Sequence, residues 1–410
     1  MPSTAAHAPF NRVTWVAIGG LGITQIIGWG STYYLLTLLG RPIATELGLS
    51  QAFVSAGLSL MLIMGAVFGP VAGRAMDQRG ARPVMALGSL IASAGLVALA
   101  FVRGPVGYMA AWFVIGLSAA LILYPAAFTA LTQIAPHQAR RAISWLTLPG
   151  GLASTVFWPL TEALLTIMDW RSICLFYAAL NLCVCLPLHL AVIRRDPAAA
   201  DQQDESGPLP QGLPADARRM AFLLFAAALA LNSLLVTGLL NHFIAIMRDF
   251  GQPAQAAVAI GMVFGLSQTS ARILELISGA RTDPLMLGVA VAAGFPLAFA
   301  AMMVAPASLV AGMAFAVILG MCNGLWTIVR GAMVLRLFGV AGYGENLGTI
   351  IVAQGLAAGV APILLASLME IAGVYAAFVA CGLVSATALV AMVLLFRHAR
   401  RVEAAARPGP

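Results

Sequence analysis

The stretch GRAMDQRGAR, residues 73–82, holds three arginines, one aspartate and two glycines between two long apolar runs. Such a charged segment reads as a short hairpin between two membrane helices. Asp77 falls near the end of a helix that begins at about Gln51, and Gly80 permits the sharp reversal that sends the chain back into the bilayer. Arg79 and Arg82 are then left at the surface that carries positive charge. An aspartate among arginines at a helix end can latch one helix bundle to another and release it when they rock. Gly73, Asp77, Arg79, Gly80 and Arg82 are therefore candidates for a gating loop.

Composition leads to the same class. A chain of 410 residues that is 61% hydrophobic and 9% charged, with mean hydropathy +0.95, has more apolar surface than one soluble core can hide. It reads as a polytopic membrane protein. All 22 basic residues are arginine. Without lysine there is no phosphate-binding loop for ATP hydrolysis and no Schiff base. The net charge of +7 reports topology rather than nucleic-acid binding. Cys174, Cys183, Cys185, Cys322 and Cys381 all lie in apolar runs and read as small hydrophobes. No disulfide, metal site or cofactor is indicated.

Apolar runs of about 20 residues place twelve helices. Their approximate limits are 13–39, 51–73, 83–102, 106–133, 142–167 and 171–193, then 219–246, 255–278, 285–304, 307–332, 346–369 and 372–396. With the N-terminus inside, sixteen arginines fall in loops of the cytoplasmic side and four, Arg41, Arg103, Arg171 and Arg248, outside; Arg272 and Arg330 lie in or near helices. That bias fits an even helix number with both termini cytoplasmic.

The polar stretch 194–218 is rich in proline, glycine and acid and reads as a flexible cytoplasmic linker. It separates a six-helix half, 1–193, from a second, 219–396, followed by a cytoplasmic tail, 397–410. The second half repeats the opening motif in degraded form, with Ala271-Arg272, Glu275, Gly279 and Arg281 against Gly73-Arg74, Asp77, Gly80 and Arg82.

The spacing of Gly73, Asp77, Gly80 and Arg82 resembles the loop between helices 2 and 3 of the major facilitator superfamily. The resemblance implies an all-α membrane protein of twelve transmembrane helices in two six-helix halves, with a substrate site formed between the halves near mid-membrane. Helices 1, 4, 7 and 10 would line it.

Arg272 is the sharpest candidate for chemistry. It stands six residues before the expected helix end, roughly 9 Å inside the membrane at about 1.5 Å per residue. A guanidinium there is costly unless it meets water, a partner or an anion. Gly261, Gly265, Gln268, Arg272 and Glu275 follow at helical spacing and form one stripe, and Arg272 could hold a carboxylate by a two-pronged hydrogen-bonded pair. Here the chain resembles the monocarboxylate-porter-like branch, whose helix 8 arginine binds the substrate carboxylate. It departs from that branch in having Gln268 where many members have an acid, and in having no lysine in helix 1. The alternative is that Arg272 and Glu275 brace the cytoplasmic gate.

Gln25, Trp29 and Tyr33 in helix 1, Tyr124 and Phe128 in helix 4, Asn232 and Asn241 in helix 7, and Asn323 and Trp326 in helix 10 extend the candidate binding surface. Such stripes also serve simply to pack helices. Proton coupling needs a titratable group in the pathway, for which Glu275 and His242 are the candidates, with Glu162 behind them. No nucleophile, base and orienting group stand together, so the chain does not read as an enzyme.

The sequence thus points to a monomeric secondary transporter in a bacterial inner membrane. It would move a small organic anion, a carboxylate, by alternating access, with protons as the candidate coupling ion and no nucleic acid or cofactor involved. The alternatives are efflux of a drug, metabolite or metalloid compound and uptake of a neutral vitamin-like nutrient. A permease-like sensor or membrane-embedded enzyme stands as a reading of another class.

Overall fold

The computed structural model describes residues 10–193, 212–277 and 282–405. Most of the expected linker, the echo residues Gly279 and Arg281, and the end of the tail lie outside these residues. Ten helical stretches are long and apolar enough to cross a membrane. Two adjustments make twelve spans among the described residues. One span, over 139–165, is broken into two short helices at Leu152, and the stretch 343–405 is divided by Gly373 at φ 82°.

The spans are α1 (Arg12–Leu47), α2 (Gln51–Arg79), α3 (Ala81–Ala100), α4 (Pro105–Ile134), α5 (139–165) and α6 (Trp170–Val192). They continue with α7 (Ala215–Asp249), α8 (Ala254–Ile277), α9 (Pro284–Val304), α10 (Leu309–Phe338), α11 (343–372) and α12 (374–405). Several run past their sequence-based limits. The helix expected to end at residue 73 continues to Arg79, because nothing after Gly73 breaks it until Gly80 at φ 83°. The hairpin of residues 73–82 is therefore a turn of one residue, and Arg74 and Asp77 stand on the last turns of α2. Helix α1 likewise extends to Leu47, so Arg41 belongs to a helix rather than a loop.

Four spans of the N-terminal half are irregular. In α1, Thr32 leaves the helical region at φ −122° and ψ −73°, and a new helix begins at Leu35. In α4, Leu123 is extended and Pro125, lacking an N–H, starts the second piece. In α5, Pro149-Gly150-Gly151 precedes the break, where the Leu152 amide donates back to the Pro149 carbonyl at 2.9 Å. In α6 a π-helical turn spans Asn181–Cys185.

The chain groups into two compact units. The first holds α1–α6 together with Val340–Val352, and the second holds α7–α10, the rest of α11 and α12. In the second unit, the starts and ends of three spans are tied by a ring of charges. Asp283 before α9 meets Arg336 of α10 at 3.6 Å and Arg400 of α12 at 3.0 Å, and Glu403 of α12 closes the ring to both arginines.

Candidate transport site

The geometry of α2 is set by small residues. Gly69 and Gly73, four apart, face Gly344 and Gly348, also four apart; a methyl on Gly344 would stand 2.7 Å from the Gly73 carbonyl. Only chains without side chains can bring their backbones this close. The crossing delivers the start of α11 to Asp77, whose Oδ1 accepts from the Gly344 amide at 3.1 Å and whose Oδ2 accepts from the Glu345 amide at 2.8 Å. First-turn amides have no partner within their own helix, and a carboxylate there also meets the positive end of the helix dipole. Arg74 adds a pair to Glu345 at 2.5 Å. The turn itself is stapled by Gln133 of α4, whose side chain accepts from the Ala81 amide at 2.9 Å and donates to the Met76 carbonyl at 2.9 Å. One amide group thereby serves the end of α2 and the start of α3.

In the second unit, Gly320 and Gly324 let α10 seat against the backbone of α8; a methyl on Gly324 would lie 2.9 Å from Gln268 Cα. That approach puts the Gly324 carbonyl within reach of Arg272, whose Nε donates to it at 3.3 Å while Nη2 reaches Thr327 Oγ1 at 3.5 Å. Arg272 is 7% exposed and Glu275, three residues on, is 8% exposed. Gln268 accepts from Asn323 Nδ2 at 3.1 Å. Four of the expected polar positions, Gln268, Arg272, Glu275 and Asn323, thus lie along α8 and the face of α10 packed on it.

The first unit gathers the aromatic candidates. Trp29 and Tyr33 of α1 pack edge-on at 5.4 Å, Trp29 meets Tyr124 of α4 at 5.4 Å, and Tyr124 stacks on Phe128 at 5.3 Å. Gln25, fully buried, donates to the Ile122 carbonyl at 2.7 Å. The break in α4 explains this bond. The Ala126 amide turns to Leu123 at 3.0 Å instead of Ile122, so Gln25 satisfies a carbonyl that an unbroken helix would have paired.

Other expected residues stand apart. Trp326 is buried edge-on against Phe295 of α9 at 6.1 Å. Asn232 is buried in α7. Asn241 is exposed and bonds the Thr237 carbonyl of its own helix. His242 Nε2 lies 3.1 Å from the Pro362 carbonyl of α11. Glu162 is exposed near the end of α5. Of the cysteines, Cys183 is exposed rather than buried, and Cys185, two residues on in the π turn, is buried. No group of metal-binding side chains occurs among the described residues.

Sequence reading missed Gln133 and two buried polar contacts, Asn181 to Ser31 at 3.0 Å and Ser89 to His189 at 2.8 Å. A lone Asn or His inside an apolar run was the available signal.

Comparison with known proteins now bears on these helices. A family model described as Major Facilitator Superfamily matches residues 21–325. The chain belongs to the major facilitator superfamily. Among curated proteins, this superfamily member is 26% identical over 285 residues to Monocarboxylate transporter 4 of Rattus norvegicus, covering 66% of this chain and 58% of that one. It is 32% identical over 168 residues to Monocarboxylate transporter 3 of Gallus gallus, 38% of this chain and 30% of the other. It is also 29% identical to an uncharacterized 38 kDa protein in a 23S RNA operon of Thermoproteus tenax, over 41% and 44% of the two chains. Each match spans well under two thirds of the relative's length.

Among solved structures, the human organic anion transporter MFSD10 aligns with TM-score 0.69 at 16% identity, over 93% of this chain and 99% of that one. The proton:xylose symporter XylE aligns with TM-score 0.70 at 13% identity, over 93% and 94%. These likenesses carry the major facilitator fold. The chain is a multi-pass membrane protein of a family of transporters.

Proposed function

We propose that this chain moves a small organic anion, a carboxylate, across a bacterial inner membrane by alternating access. The observation that carries the proposal is a guanidinium, Arg272, held 7% exposed inside a membrane span. Its acceptors include the Gly324 carbonyl and the Thr327 hydroxyl, which fix the orientation of the guanidinium. A guanidinium inside a span suits a substrate carboxylate, which it can hold by a two-pronged hydrogen-bonded pair. The named monocarboxylate transporters among its relatives support this substrate class. Gln268 and Asn323 flank the arginine, and Gln25, Tyr33, Tyr124, Asn232 and Trp326 are the further binding candidates. Glu275 and His242 are assigned to proton coupling, and Asp77, Arg79, Gly80, Arg82 and Gly73 to the gate. The arginine bias places both termini in the cytoplasm, and the chain acts as a monomer with two six-helix halves.

The experiment is uptake of labelled carboxylates into proteoliposomes under an imposed pH gradient, comparing the native chain with Arg272→Ala. A carboxylate is expected to accumulate with the native protein. The substitution should weaken its binding by about two orders of magnitude, the size of losing a charged hydrogen-bonded partner. The hydrogen bonds from Arg272 to α10 favour a second reading, in which the arginine braces α8 on α10. That reading wins if binding survives the substitution and only turnover falls.

A further inference from the structure

The turn at Gly80 sits beside a cavity of about 540 Å³. Arg79 and Arg82 stand exposed at it, while Ile134 and Ile193 are buried. The cavity therefore has a cationic mouth and an apolar floor. Of the three arginines in the opening stretch, Arg74 is spent on Glu345, and neither Arg79 nor Arg82 has an acidic partner among the described residues. Gln133, the polar side chain best placed to interfere, is committed at both ends of its amide to the Ala81 and Met76 backbones. Asp77 is likewise committed, both of its oxygens accepting from the start of α11.

A turn between two membrane spans lies at a bilayer surface, at the depth of lipid phosphates. Two unneutralised guanidiniums there attract an anion, and planar guanidinium forks suit phosphate oxygens. A free anion draws nothing from an apolar floor. A zwitterionic headgroup would bring an ammonium, for which no uncommitted carboxylate lines the cavity among the described residues. We propose that this cavity binds the phosphodiester of an anionic phospholipid of the phosphatidylglycerol class, with Arg79 and Arg82 on the phosphate and the glycerol backbone against Ile134 and Ile193.

The test uses the full-length protein purified in detergent and titrated with dioleoylphosphatidylglycerol, dioleoylphosphatidylcholine or inorganic phosphate. Bound lipid is counted by native mass spectrometry, and thermal unfolding is followed in parallel. The native chain should bind phosphatidylglycerol at least about tenfold tighter than phosphatidylcholine, with its Tm raised by the former alone. The double variant R79Q/R82Q should bind it about thirty-fold more weakly, from two guanidinium contacts at the surface. R79K/R82K should recover part of the loss, and R103Q should leave binding unchanged. Equal phosphatidylglycerol binding by the native and glutamine variants overturns the proposal, as does displacement of the lipid by inorganic phosphate, which would mark a free-anion site. If the glutamine variant fails to fold, the native chain decides: salt-sensitive preference for phosphatidylglycerol supports the site, and equal binding of both lipids overturns it.

Discussion

Gln133 is the side chain that bonds both sides of the one-residue turn at Gly80. It accepts from one helix start and donates to one helix end, so Gln133→Ala strands the Ala81 amide and takes one of two donors from the Met76 carbonyl, which keeps the Gly80 amide at 2.8 Å. A loss of about 1–3 kcal/mol is expected, since a stranded amide costs its desolvation, and it should appear as a lowered Tm in detergent. Gln133→Glu keeps the acceptor for Ala81 and loses the donor to Met76, so its Tm should fall between the two. Asp77 and Gly80 could be read from sequence because their work is local: a glycine between charged residues announces a turn. Gln133 could not, because its partners are backbone groups 52 and 57 residues away. Arg272 divides in the same way. Its depth follows from counting along an apolar run, whereas its contact with the Gly324 carbonyl depends on how α10 crosses α8.

At the level of helices, the pairing of Gly69 and Gly73 with Gly344 and Gly348 makes a direct prediction. Gly344→Val places a branched side chain where the Gly73 carbonyl leaves no room. Overpacking of this kind costs about 1–3 kcal/mol, and the displaced helix start would also lose its two bonds to Asp77. Thermal unfolding should show both effects, and adding Asp77→Ala to Gly344→Val should cost less than the sum of the separate losses. The charge ring of Asp283, Arg336, Arg400 and Glu403 is half-exposed. Arg336→Met should therefore change stability by no more than about 1 kcal/mol. The number and order of the spans were legible from hydropathy. The break in α1 was not. Ser31, Thr32, Tyr33 and Tyr34 include no helix breaker, and the kink is fixed by neighbours, among them Asn181, which donates to Ser31.

Across the whole molecule, the assignment of Glu275 to proton coupling separates accumulation from exchange. Glu275→Gln should abolish uptake driven by a pH gradient while leaving carboxylate exchange between labelled and unlabelled pools intact. Loss of both activities would instead make Glu275 a structural partner of Arg272. The six-plus-six order was visible in sequence because the linker is polar. The membership of residues 340–352 in the first unit was not, since it rests on glycine faces far apart in the chain. That membership has a consequence during vectorial synthesis. Asp77 waits for amides 267 and 268 residues downstream, so the N-terminal spans enter the bilayer with a carboxylate and the Gly69 and Gly73 face of α2 uncovered. At about 5–20 residues per second, the delay is roughly 10 to 60 s. During it the nascent chain is a client for whatever insertase or chaperone shields polar groups at the membrane surface, and the N-terminal half completes its packing only when most of the C-terminal half has been made.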